Sequence, residues 1–129
     1  MTPGKVKVKR GLAGLGLFAD QEFKRDDFII EYTGELITDE ERNRRGGKYL
    51  FEIDEEWTID GKDRSNIARY INHGCKNNAY AEVDEEERRV FVRAKKKIQP
   101  GEEITFHYGK EYFDEYMSNG RCRCASCRS

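Results

Sequence analysis

The sequence predicts a mainly β single domain with a few short helical pieces, and three observations carry that prediction. Six short runs alternate in polarity or are rich in β-branched and aromatic residues, namely 5–9, 28–32, 49–53, 57–59, 89–94 and 104–108. Turn-forming residues separate them. The chain has 129 residues, the size of one ordinary domain, and no repeat, low-complexity tract or Ser/Pro-rich linker divides it.

Taken in order, each element has a local reason. The run 5–9 alternates Lys and Val, and 28–32 is apolar and aromatic. A short helix is expected to start at Thr38, whose hydroxyl caps it while Glu41 reaches back in a capping box, and Gly46-Gly47 ends it. Strands 49–53 and 57–59 follow, then the tight turn Asp60-Gly61. The acidic stretch 84–87 reads as a hairpin tip before 89–94, and Pro100-Gly101 turns the chain into 104–108. A second helical turn or two is expected over 111–117, with Tyr112, Phe113 and Tyr116 facing inward.

Charged residues make up 38% of the chain and apolar ones 36%, so a small core lies under a very polar surface; 12% aromatics supply the bulk that core needs. Net charge is −1, from 24 basic and 25 acidic side chains, which leaves no global positive field to hold a nucleic-acid backbone. The runs 84–87 and 95–97 read as solvated surface. No apolar stretch has the length of a membrane span, and MTPGKVKVKR lacks the apolar core of a secretory signal. A soluble intracellular protein, with no membrane or direct nucleic-acid partner, is the expectation.

Three segments carry chemistry-bearing residues. Gly14-Leu15-Gly16 lets a backbone approach a ligand closely, although a Gly-x-Gly is more often a turn, and without a third glycine and a long helix it is no dinucleotide motif. Arg69-Tyr70-Ile71-Asn72-His73-Gly74-Cys75 packs a cation, an amide, an imidazole and a thiol into seven residues; Asn72 and His73 could equally satisfy backbone groups in a buried loop. In 101–109, Phe106 and Tyr108 fall on one face of a strand and His107 on the other, a pattern that alone means core packing.

Together these segments resemble the SET domain, the lysine methyltransferase family. GLGLFA (14–19), EYTGELI (31–37), YLFEID (49–54), RYINHGC (69–75) and GEEITFHYG (101–109) occur in that family's order, from about Lys5 to Arg128. The resemblance implies a β-clip-like fold of several small curved sheets, with a knot-like crossing of the Asn-His segment and the C-terminal segment, a threading otherwise rare. It implies a SET domain over 1–118 and a post-SET zinc-binding tail over 119–129. Gly14, Leu15, Gly16, Tyr49, Arg69, Asn72 and His73 would hold S-adenosylmethionine, with Tyr112 against its adenine and S-adenosylhomocysteine as product. Tyr108, Tyr32, Phe106 and Phe51 would form the catalytic lysine channel.

The chemistry explains why such residues are wanted. A neutral amine must attack the methyl carbon in line with the departing sulfur, so alignment is essential. Free lysine has a pKa near 10.4, so presenting it neutral at pH 7 costs about 4.6 kcal/mol. An aromatic channel and a nearby sulfonium both disfavour the ammonium, which makes a carboxylate base unnecessary. By the resemblance, the Tyr108 hydroxyl orients the amine, and phenylalanine at 106, where some members have tyrosine, implies di- or trimethylation.

Cys75, Cys122, Cys124 and Cys127 are the four cysteines. Three cysteines within six residues of an intracellular chain suit a metal better than disulfides or free thiols. The family's post-SET tail implies structural tetrathiolate zinc on these four, closed and unreactive. The chain departs from the family pattern in three places: the tail reads C-x-C-x2-C where C-x-C-x4-C is usual, Gly74 replaces a serine, and His107 stands where aspartate is common.

The expected substrate is a lysine-containing, basic protein or peptide such as a histone, drawn by Glu40, Glu41, Asp54, Glu55 and Glu56. The competing readings are a non-catalytic SET-like module that binds a peptide in the same groove, and a zinc-dependent nucleic-acid module, which lacks the necessary basic aromatic stripe.

Overall fold

The computed structural model describes residues 3–11, 14–46, 49–74 and 76–107. Their order is β1 (Val6–Gly11), β2 (Gly14–Ala19), β3 (Phe28–Tyr32), β4 (Glu35–Thr38), α1 (Asp39–Arg45), β5 (Leu50–Glu52), β6 (Trp57–Asp60), a 3-10 helix (Ile67–Tyr70), β7 (Asn72–His73), β8 (Ala79–Asp84), β9 (Arg89–Ala94) and β10 (Thr105–Phe106). The mainly β expectation holds, with the strands distributed over four small sheets: β1-β2, β3-β9-β8, β4-β6-β5 and β10-β7.

The central strand of the second sheet shows how sequence produces this. In β9, Val90, Phe91, Val92 and Ala94 are all buried, because β3 covers one edge, β8 the other, and core residues lie on both faces. Its near-continuous apolar run is the signature of such a strand. The hairpin tip expected at 84–87 joins β8 to β9, and Asp84 accepts the Glu87 amide across it. Around this sheet the core gathers Leu17, Phe23, Ile29, Ile71, Ile98 and Ile104, each essentially without solvent contact.

Three strands escape the sequence reading, β2, β4 and β7, and β8 enters it only as the unnamed arm of the hairpin expected at 84–87. The glycines of β2 disguised it, yet β2 pairs residue for residue with β1, and the hairpin turns where Gly14 takes φ +93°, a conformation L side chains avoid. The strand expected at 104–108 is described only as Thr105–Phe106, and residue 108 lies outside the described residues, as does 111–117.

One segment stitches the sheets together. Ile98 and Phe23 exchange backbone hydrogen bonds of 2.9 Å, Ala19 donates to Glu102 at 2.9 Å, and Ile104 donates to Leu17 at 2.8 Å. The next two residues, Thr105 and Phe106, leave β2 and lie parallel to Asn72 and His73 of β7. The side chain of Asn78, nearly buried, accepts from Thr105 N–H at 2.9 Å and donates to the Glu103 carbonyl at 2.8 Å. Backbone groups that would otherwise be stranded between sheets are thereby paired.

Helix α1 begins as expected: the Thr38 hydroxyl accepts the Glu41 amide at 3.2 Å, and Gly46 caps the other end at φ +63°. The capping box is only half formed. The Glu41 carboxylate turns instead to Arg44, at 2.5 Å, and Arg45, at 2.6 Å. Those two guanidinium groups, Arg44 first, hold its carboxyl well below the usual 4.5, at about 2. Because the folded value lies below the free one, this pairing contributes fully above the ordinary carboxylate range and is lost as pH falls through about 2. Chemical shifts of the Arg44 and Arg45 side chains should therefore titrate with a midpoint near 2; a midpoint near 4.5 would mean that the pairs do not form in solution.

Candidate functional site

Three sheets each contribute one aromatic ring to a continuous row. Tyr32 ends β3, Phe51 sits in the middle of β5 and Phe106 ends β10. Ring centroids are 5.4 Å apart for Tyr32 and Phe51 and 6.5 Å for Phe51 and Phe106, the latter pair stacked. Tyr32 and Phe106 are buried and Phe51 is half-buried. The Tyr32 hydroxyl donates to the Tyr49 carbonyl at 2.9 Å, which fixes one end of the row.

Tyr32 is also gripped from behind. A methyl group placed on Gly61 would stand 2.5 Å from the Tyr32 ring and 2.5 Å from Asn66 Nδ2, so only glycine fits between them. Gly61 N–H donates to the Tyr49 carbonyl at 2.8 Å, and Asn66 Nδ2 donates to the Gly61 carbonyl at 3.1 Å. Asn66, buried, accepts the Thr33 amide at 3.1 Å with its other end.

A second cluster lies where β7, β10 and β2 meet. Asn72 Nδ2 donates to the Leu15 carbonyl and to Glu103 Oε2, both at 2.9 Å. Gly16 packs so closely against the Glu103 carboxylate and the Asn72 amide that a side chain there would drive the carboxylate away. In an antiparallel strand the N–H and C=O of one residue point to the same side, so the Leu15 amide faces the β7 side together with its carbonyl. The Leu15 side chain is half exposed. Gly14 stands at the turn preceding it.

Neighbouring groups complete this cluster. Arg69 stacks its guanidinium 4.3 Å from the Tyr49 ring centroid and 5.3 Å from that of Tyr70. A hydrogen bond that Arg69 donates to the Tyr49 hydroxyl holds the guanidinium firmly protonated, while its Nε is buried and bonded to no described group. His73 is buried, its ring 4.6 Å from that of His107 in an edge-on contact. Burial first, and the His107 charge second, push its pKa below the usual 6.5, so His73 is neutral near neutral pH.

The structure thus brings Gly14, Leu15, Gly16, Asn72 and His73 to one junction, Tyr49 and Arg69 into one stack, and Tyr32, Phe51 and Phe106 into one row. Tyr108, Tyr112, Cys75, Cys122, Cys124 and Cys127 lie outside the described residues. Among the described residues no group of three potential metal ligands is gathered. Of the five carboxylates expected to attract a basic substrate, Glu41 is taken up by Arg44 and Arg45, and Asp54 accepts the amides of Glu56 and Trp57 within its own turn. Glu40, Glu55 and Glu56 remain exposed.

Asn66, Asn78, Gly61 and Glu103 are structurally central, yet sequence reasoning assigned none of them a role at the site. Glu103 lay inside a recognised motif, which was the available signal. Asn66 and Asn78 offered none, because an asparagine in a polar loop looks the same whether it faces water or spans two strands.

Comparison with known proteins agrees with this geometry. Residues 14–109 match the SET domain family. The chain is 36% identical, over 88% of its length, to the Schizosaccharomyces pombe histone-lysine N-methyltransferase, H3 lysine-4 specific. It is 37% identical, over 95% of its length, to the Caenorhabditis elegans histone-lysine N-methyltransferase set-2. A chain in the structure of ctPRC2 in complex with H3K27me3 and H3K27M superposes with a TM-score of 0.77 at 30% identity over 96% of this chain. This chain spans 14%, 9% and 16% of those proteins.

Gly61→Ala should destabilise the domain by about 1–3 kcal/mol, the cost of overpacking a filled core, because Tyr32 and Asn66 must both retreat. Urea denaturation checks this, and an unchanged midpoint would refute the clamp.

Proposed function

This chain belongs to the SET-domain family, and from that premise we propose that it is a protein-lysine N-methyltransferase that uses S-adenosylmethionine. The observation that carries the reading is the β7–β10 pairing. It makes Phe106, in the aromatic row, the direct partner of His73, and Thr105 the partner of Asn72, whose amide reaches the β2 backbone. An acceptor channel and a donor pocket therefore share one wall.

The described residues fit the cofactor on their own evidence. A buried Arg69 Nε without a described partner is the mark of a surface made to meet a polar ligand, while Gly16 is required by the close approach of Glu103 and Asn72. Gly14, Leu15, Gly16, Tyr49, Arg69, Asn72 and His73 would hold it, with Tyr112 against the adenine. Bound there, S-adenosylmethionine supplies the sulfonium methyl and leaves as S-adenosylhomocysteine.

The chain's own residues then present the amine. Tyr32, Phe51 and Phe106 exclude water, which penalises the ammonium and offsets part of the roughly 4.6 kcal/mol needed to deprotonate a lysine at pH 7. Tyr108, by the family resemblance, would orient the nitrogen with its hydroxyl. Neutral His73 adds no positive charge beside a cationic ligand.

Four further assignments belong to this reading. Phenylalanine at 106 leaves room for a methylated amine, so the product is di- or trimethyl-lysine. The substrate is a basic protein, and the names of the relatives favour a histone tail, with Glu40, Glu55 and Glu56 as the exposed carboxylates available to attract it. Residues 1–118 form the catalytic unit, and 119–129 a post-SET tail in which Cys122, Cys124 and Cys127 join Cys75 around structural zinc. The donor set suits that metal. Gly74 N–H donates to the Phe106 carbonyl at 3.1 Å, so the residue before Cys75 abuts the strand that leads towards the tail. The place of work is intracellular; none of the described helices is long and apolar enough to cross a membrane.

Incubation with labelled methyl donor and mixed basic proteins tests the reading. Wild type should label lysine, and Tyr108→Phe should label it about a hundredfold more slowly, the scale of losing one well-placed hydroxyl or amide donor. Absence of label from the wild-type protein would leave a peptide-binding module. Mass spectrometry of a reacted peptide should show Phe106→Tyr shifting the product towards monomethyl-lysine, and an unchanged product pattern would remove Phe106 from that role.

A further inference from the structure

Helix α1 buries none of its residues, so apolar packing does not dock it. Ion pairs do. Arg42 Nη1 reaches Glu52 of β5 at 3.2 Å. Arg45 is the centre of the larger set: Nε donates to Glu41 at 2.6 Å, Nη1 to Asp60 at 2.9 Å, and Nη1 and Nη2 to the two oxygens of Glu35 at 3.0 and 3.1 Å. Arg44, by contrast, pairs among the described residues only with Glu41 of its own helix and is mostly exposed.

The partners of Arg45 differ in what they do next. Glu35 and Glu41 are partly solvated, but the Asp60 side chain is 5% exposed. Asp60 ends β6 between β4 and β5, paired with Glu35 on one side and Leu50 on the other. Its second oxygen accepts the Lys62 amide at 3.2 Å, which sets the path of the chain across Gly61. Gly61 N–H and the Tyr32 hydroxyl share the Tyr49 carbonyl, at 2.8 and 2.9 Å, and Gly61 itself abuts the Tyr32 ring.

We infer that Arg45, through Asp60 and the Gly61–Tyr49 linkage, is a positioning residue for the Tyr32 end of the acceptor channel. Losing the guanidinium removes the one ion pair that the buried Asp60 carboxylate makes among the described residues, and such a group moves towards water or neutralises. Either response slackens the turn at Gly61 and frees the Tyr49 carbonyl that orients Tyr32. The linkage runs through a shared hydrogen-bond acceptor and a packed glycine, both of which have little play. Arg44, exposed and paired among the described residues with Glu41 alone, has no such route.

The inference rests on the methyltransferase reading for its kinetic consequence, while the NMR comparison stands without it. Arg45→Gln and Arg44→Gln are compared with the wild-type chain by backbone amide NMR and by kinetics on a basic lysine peptide. Arg45→Gln should shift the Gly61 amide and the Tyr32 ring resonances, with methyl-donor affinity within about twofold of wild type and kcat down about ten- to a hundredfold, the scale expected when a reacting group is misplaced by a fraction of an ångström to an ångström. Arg44→Gln should leave all of these unchanged. In a Tyr32→Phe background, Arg45→Gln should cost little further, since coupled residues are not additive. Arg45→Lys, which keeps one charge against Asp60, should recover part of the loss and serves the same comparison if Arg45→Gln does not fold. Unshifted Gly61 and Tyr32 signals in Arg45→Gln, or additivity with Tyr32→Phe, would overturn the inference. Shifted signals in a wild-type background that transfers no methyl group would uphold the linkage and sink the methyltransferase reading instead.

Discussion

Two residues of parallel strand, Thr105 and Phe106 alongside Asn72 and His73, are the constraint on which the site depends. So short a ladder contributes little by itself. It holds because its surroundings are tied elsewhere: Ile104 to β2, Asn78 to both Glu103 and Thr105, and Gly74 to Phe106. Phe106 of the aromatic row and the Asn72–His73 junction are placed relative to each other by this crossing.

Much of the fold was legible because its signals are local. Alternation marked β1, apolar continuity marked β9, Thr38 marked the start of α1, and Gly46 its end. β2 was hidden by its glycines, whose reason is not a turn alone but the approach of Glu103 and Asn72 from the other end of the chain. β7 is only two residues long and leaves no periodicity to read.

The site was legible in part, for a related reason. Motif order placed Asn72, His73, Phe51, Tyr32 and Phe106 in one expectation, and the described geometry brings them to adjoining clusters. The supporting groups Asn66, Asn78 and Gly61 have no sequence signature, because each acts by spanning strands whose proximity exists only after folding. The acidic attraction surface was over-read: charge counted along the chain takes no account of arginines that fold back on it, as Arg44 and Arg45 do on Glu41.

The two strands of that short parallel ladder lie roughly thirty residues apart in the chain, with the whole β8–β9 hairpin between them. Loop closure of that length follows local pairing, so the β8–β9 hairpin forms before the crossing. A nascent polypeptide halted after β9 would own three of the four described sheets but not the β7–β10 junction. The junction between the aromatic row and β7 is thus completed only at the end of assembly, and a partly built chain lacks the site on which the proposed transfer rests.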